Sequence, residues 1–166
     1  MKTVAILAGV VAVAVAAGPT QGAMTMHARQ EARPAKAALY APGLGEIMSV
    51  QQMRHTKLWF AGSAGNWDLA GYELDELKEG FDDVLTYAPT HDGVALTALV
   101  KAVTGGPIPE LAKAIAAHDS DKFVAGFDAL SGGCNSCHQS AKHGFIVIQR
   151  PTRQPYTDQD FAPAGH

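Results

Sequence analysis

The chain has only two cysteines in 166 residues, and both fall inside one five-residue stretch, Cys134 to His138. With no second cysteine pair, a zinc site of the usual four ligands is not supplied by thiols. Positive charge is not in excess either: 13 Lys and Arg face 16 Asp and Glu. A chain without a basic surplus lacks the electrostatic footprint of a nucleic-acid surface. Beyond residue 23 no apolar run reaches the roughly 20 residues that a bilayer-crossing helix needs. There are no internal repeats. No nucleophile beside a base, and no pair of carboxylates, suggests an enzyme. These absences concentrate the chemistry of the chain in one place.

The N-terminus has its own pattern. Lys2 is followed by the apolar run Val4–Ala17 and then by the small residues Gly18, Gly22 and Ala23. Residues 1–23 therefore read as a secretory signal peptide, cut somewhere from Ala17 to Ala23. Loss of Lys2 with the signal leaves 12 basic and 16 acidic side chains, a net charge of −4. The mature chain is expected to be periplasmic, without a transmembrane segment, and one domain of about 140 residues. Residues 24–43 are mixed in character and read as an N-terminal arm.

From Leu44 onward the apolar residues recur with helical spacing, which makes the fold class all-α. A first helix, about Leu44 to Ala61, carries the seam Leu44, Met48, Gln51, His55, Leu58 and Gly62, and turns at Gly62–Gly65. A second starts at Asn66, a good N-cap, with Asp68 where the macrodipole favours an anion, and ends at Pro89. Its acidic run, Glu73 to Glu79, reads as a solvated face. A third, Asp92 to Val103, is broken by Gly105-Gly106-Pro107 and resumes over Glu110 to Ala117. The fourth follows Asp119-Ser120, and its seam is Phe123, Phe127, Leu130, Cys134 and Cys137. Both cysteines thus lie on the apolar stripe at the end of the last helix. After them, Phe145–Ile148 suggests a short extended segment, and the remainder of residues 144–166 is a Pro-rich tail expected to lie irregularly on the surface.

The stretch Cys134-Asn135-Ser136-Cys137-His138 is a Cys-x-x-Cys-His motif, the pattern to which haem c is covalently attached. Both thiols would add to one porphyrin edge as thioethers, and the adjacent His138 would ligate the iron. A redox disulfide is the main competing reading, but it wants a strand-to-helix context and does not need the histidine. Export fits haem attachment, which in bacteria takes place outside the cytoplasmic membrane. Trp59, Trp67 and Tyr72 are then expected as core aromatics around the porphyrin.

A haem motif at the end of the last of four amphipathic helices resembles the cytochrome c-prime family and its low-spin relatives. The matching residues are Asp119–Phe123, Leu130, Gly132-Gly133, Cys134, Cys137 and His138, with Lys142 where the family usually carries a basic residue. The resemblance implies an antiparallel four-helix bundle over residues 44–143, one haem held by Cys134 and Cys137, and His138 as proximal ligand. The Gly105-Gly106-Pro107 break and the long tail depart from the family and point toward a divergent branch.

In that architecture the first helix faces the distal side of the haem, and three readings stay open there. His55, in mid-seam, is a candidate sixth ligand; a core histidine hydrogen-bonded to a side chain is the bland alternative. Met48, two turns earlier, is a second candidate through its thioether. The third is an open site with Leu58 distal and Arg54 contacting a haem propionate. His27, His91, His118, His143 and His166 are expected in arms, caps or the tail. A six-coordinate iron implies a one-electron carrier serving unidentified redox partners, with no enzymatic activity beyond weak haem peroxidation. An open one implies binding or scavenging of NO or CO, and a subunit role in a larger redox complex is a third possibility. A homodimer is compatible with each. Replacing Cys134 and Cys137 is expected to abolish retention of haem under denaturing conditions; a chain that keeps its haem without them refutes thioether attachment.

Overall fold

The structure is a computed structural model that describes residues 40–165. The signal-peptide expectation and residues 24–39 of the arm lie outside the described residues. Five helices follow in order: α1 Leu44–Ser63, α2 Trp67–Tyr87, α3 Leu96–Thr104, α4 Pro107–Ala116 and α5 Ser120–Ser140. Two-residue strands, β1 Thr90–His91 and β2 Val94–Ala95, pair between α2 and α3. The described residues are thus almost wholly helical where they are regular, as the periodicity predicts. Among them no helix is long and apolar enough to cross a membrane.

The boundaries follow from local chemistry. Asn66 caps α2 through a bond from Leu69 N to its Oδ1 at 3.1 Å, and Asp119 caps α5 by accepting from Lys122 N at 3.0 Å. The helix α1 runs past its expected end at Ala61 because Gly62 is not a turn residue. Its missing side chain admits the Phe123 ring, and a Cβ there would lie 2.1 Å from that ring. The turn belongs to Gly65 instead, at φ +72°, with Asn66 N bonding Ala61 O at 2.9 Å and Gly65 N bonding Gly62 O at 3.1 Å. That is the left-handed helix ending which glycine makes cheaply.

One expectation is corrected between α2 and α3. The third helix does not begin at Asp92. Asp92 and Gly93 both take positive φ, 47° and 78°, and close a hairpin that pairs His91 with Val94. Asp-Gly is a strong two-residue hairpin signal, and it overrides the helical composition of the residues that follow. The break after α3 occurs as expected at Gly105-Gly106, and Pro107 opens α4 in the first turn, where its missing N–H costs nothing.

Packing divides the interior into two clusters. The larger joins Leu58, Leu74, Leu77, Leu111, Phe123 and Phe127. The smaller joins Ile47, Val84, Leu96, Val100 and Ala141. Contacts between α1 and α5 run in an antiparallel register: Gly62 meets Phe123, Trp59 meets Phe123 and Phe127, and His55 meets Phe127 and Ser131. Each turn toward the N-terminus of α1 is one turn toward the C-terminus of α5.

Three other expectations are corrected. The tail is irregular, but it does not simply lie on the surface. Phe161 is 7% exposed and packs on Phe60 with ring centroids 5.8 Å apart. Arg150 stacks over Trp59 at 4.7 Å and pairs with Asp128, and Asn66 Nδ2 donates to Ala162 O at 2.9 Å. The tail thus adds Phe161 to the large cluster and covers the α1 aromatics packed against it. Glu73 leaves the solvated acidic face: it is 3% exposed, and burial pushes its carboxyl above the usual range while Lys57 opposes the shift. Tyr72 is 58% exposed and not a core aromatic, because it lies on the outer side of α2.

Phe161→Ala is expected to destabilise the protein by roughly 3 kcal/mol, the cost of truncating a buried aromatic. Urea unfolding at constant slope measures it, and a variant as stable as the parent would show that the tail is not part of the core.

Candidate functional site

The smaller cluster is not packed solid. It borders a partly open cavity of about 390 Å³, within the roughly 300–1,000 Å³ range of small-molecule pockets. The walls are mostly aliphatic, from α1, α2, α3, α5 and the segment after α5. Cys134, Cys137 and His138 open onto it from α5, and Met48 and His55 from α1. The structure therefore brings into one chamber all five residues that sequence reasoning named as attachment points or iron ligands.

Both thiols are free and half-buried. Burial, with Cys137 nearby, pushes the Cys134 thiol up to about 11, and burial raises Cys137 as well. A redox-active pair needs the opposite, a thiolate stabilised at a helix N-terminus or by a cation. Here the pair sits in the last two turns of α5, where the macrodipole disfavours negative charge. The environment thus disfavours the thiolate at both cysteines.

His138 is oriented by the chain itself. Its Nδ1 donates to the carbonyl of Ile146 at 2.9 Å. This assigns the ring proton to Nδ1 and leaves the Nε2 lone pair free, as a metal-ligating imidazole requires. In the segment that supplies the carbonyl, Ile146 and Ile148 line the cavity, while Phe145, 79% exposed, and Val147, 70% exposed, are open to solvent.

His55 is bound elsewhere. It is 5% exposed, and its Nε2 lies 2.8 Å from Ser131 Oγ. Ser131 donates its hydroxyl to Phe127 O at 2.9 Å, so it accepts from His55 Nε2–H. Burial lowers the imidazole to about 4, which keeps it neutral. This is the side-chain-bonded core histidine that sequence reasoning set beside the ligand role. The helical register separates the two distal candidates further. His55 is level with Ser131. Met48, seven residues and roughly 10 Å along the axis, comes level with Cys137 and His138.

Arg54 faces away from the chamber. Its guanidinium donates to Glu76 O at 2.6 Å and pairs with the Glu76 carboxylate at 2.7 Å. Gly80 makes this approach available, since a Cβ there would lie 2.7 Å from Arg54 NH1. Glu76 is thus the partner the structure gives this arginine. Trp59 and Trp67 are aromatics of the large cluster, packed on Phe123, and do not line the cavity. Lys142 is the left-handed residue that ends α5, at φ 64°, and it is exposed.

His91 escapes sequence reasoning, whereas His143 is near enough to the motif in sequence to touch a haem edge, although exposure is the reading favoured for it. His91 and His143 both reach the cavity, with ring centroids 5.5 Å apart. His143 is five residues beyond the motif, but only the hairpin brings His91 there. Among the described residues no group of three or more His, Cys, Asp and Glu side chains converges to hold a bare ion. The set present (two thiols on one helix face, one imidazole with Nε2 free, an aliphatic chamber) fits a covalently attached haem. No protein-family model matches this chain, and neither a curated protein nor a solved structure shows significant similarity to it.

The buried His55 has a pH consequence. Its folded value near 4 lies below the ordinary 6.5, so between these values the unfolded chain binds a proton that the folded chain refuses. Stability is expected to fall as pH drops from about 6.5 to about 4, by at most roughly 3 kcal/mol from this residue. His55→Gln should remove that component. The test compares unfolding free energies near about pH 7 and about pH 4.5 in both proteins; equal losses refute it.

Proposed function

We propose that this chain is a periplasmic monohaem c-type cytochrome that carries single electrons. One observation carries the reading: Cys134, Cys137 and His138 open onto one largely apolar cavity that Met48 also lines. In this reading α3 and α4 together act as one broken helix, and α1, α2, α3–α4 and α5 make an antiparallel four-helix bundle of the cytochrome c-prime kind. The signal-like residues 1–23 and the matching stretch from Asp119 to Lys142 support the same assignment.

When bound, haem would supply reversible exchange of one electron between ferrous and ferric iron. The chain's own contributions are separate. Cys134 and Cys137 would hold the group as thioethers. His138 would offer Nε2 from the proximal side, with Nδ1–H held by the Ile146 carbonyl. Met48 would offer its thioether from α1. The aliphatic part of the lining would lower the local polarity around the group, which favours the state of lower charge and tunes the potential.

The rival reading, a five-coordinate iron open to NO or CO, gains from the commitment of His55 to Ser131. With that imidazole occupied, the distinction between the two functions narrows to Met48.

Ferrous absorption spectra with and without CO test the proposal. The parent protein is expected to be six-coordinate and slow to take CO. Met48→Ala is expected to bind CO at once, and His55→Ala to leave coordination unchanged. Immediate CO binding by the parent sinks the carrier reading in favour of gas binding, and a Met48→Ala spectrum identical to the parent's removes Met48 as ligand.

A further inference from the structure

The carbonyl that orients His138 belongs to a segment with few bonds of its own. A turn precedes it, closed by Ile146 N to His143 O at 2.9 Å. Residues 146–150 have no regular structure. Two residues beyond Ile146, however, the backbone is gripped twice by one side chain. Asn135 Oδ1 accepts from Ile148 N at 2.7 Å, and Asn135 Nδ2 donates to Ile148 O at 2.8 Å. The amide thus imitates the neighbouring strand of a ladder, offering one donor and one acceptor at once.

Asn135 is also the first intervening residue of the Cys-x-x-Cys-His motif, three before His138. Residues three apart share a helix face, so the clamp and the imidazole meet the same segment from one side of α5. The Ile146 carbonyl is bracketed between the turn at His143 and the clamp at Ile148. Motif spacing leaves this position free, because neither thioether nor ligand comes from it.

We propose that Asn135 is a positioning residue for His138: by clamping Ile148 it holds the Ile146 carbonyl on Nδ1–H and thereby sets the ring orientation and the donor strength of Nε2. The inference rests on the haem reading for its consequence at iron, but its geometry is present without haem. A hydrogen bond to Nδ1–H makes the imidazole a stronger donor and favours the ferric state. Loosening the carbonyl should therefore raise the reduction potential.

The test uses the full chain in two forms. In haem-loaded protein, Asn135→Ala is expected to raise the reduced-to-oxidised ratio at fixed potential by roughly tenfold, ~59 mV for one electron. Asn135→Asp, which keeps an acceptor for Ile148 N–H, should recover part of the shift. Arg150→Ala loosens the tail at its Trp59 and Asp128 contacts without touching the clamp, and it should leave the potential unchanged. In haem-free protein, ring nitrogen resonances of His138 should report the Nδ1–H tautomer in the parent and a mixture in Asn135→Ala. Unchanged potential with an unchanged tautomer overturns the proposal, and so does an equal shift from Arg150→Ala. A parent that acquires no thioether-bound haem overturns the proposed function instead, and the tautomer measurement then decides the role of Asn135 alone.

Discussion

The contact between α1 and α5 is the constraint on which the rest depends. Gly62 gives up its side chain so that the Phe123 ring can sit on the α1 backbone. From there the two helices stay in register through Trp59, Phe127, His55 and Ser131. A ring against a backbone cannot slide by a turn without a clash, so this end acts as a fixed point. Toward the other end the same helices supply opposite walls of the cavity. The register set at Gly62 therefore decides that Met48, and not His55, comes level with the motif.

Polar groups inside the interface strengthen that choice. His55 and Ser131 satisfy each other, Gln51 donates to Leu77 O at 2.9 Å, and Arg54 reaches the α2 backbone over Gly80. Buried polar atoms left without partners would cost more than these bonds contribute, so each pair penalises alternative registers. The aliphatic chamber is the opposite case. Its walls lack contacts that a packed core would provide, so a group that fills it and binds the folded state alone would also stabilise the fold. The tail belongs to the same economy: Phe161 and Arg150 cover aromatics of α1, and Asn135 and His138 tie down its first residues.

Much of the helical framework was legible. Caps at Asn66 and Asp119, the break at Gly105-Gly106 and the seam Phe123–Phe127–Leu130 are written within a few residues of one another. Two local signals have more than one meaning. Asp92-Gly93 is a hairpin turn followed by an apolar run of helical composition, and Gly62 has the residue type of a turn but is a packing site. Glu73 and Phe161 were illegible for another reason. An acid in a charged run and an aromatic in a Pro-rich tail carry no mark of burial, since each is buried by chain far away in sequence.

The sequence by itself determined the helical class, the caps at Asn66 and Asp119 and the break at Gly105-Gly106, and that two thiols and an imidazole share the end of one helix. These are short-range properties, set by caps, periodicity and spacing. Only the tertiary structure decided which polar groups meet: Ser131 for His55, Glu76 for Arg54, Ile146 for His138 and Ile148 for Asn135. Such pairings depend on the register between helices and on where the tail crosses. Both follow from side-chain volumes summed over distant positions, which no single stretch of sequence contains.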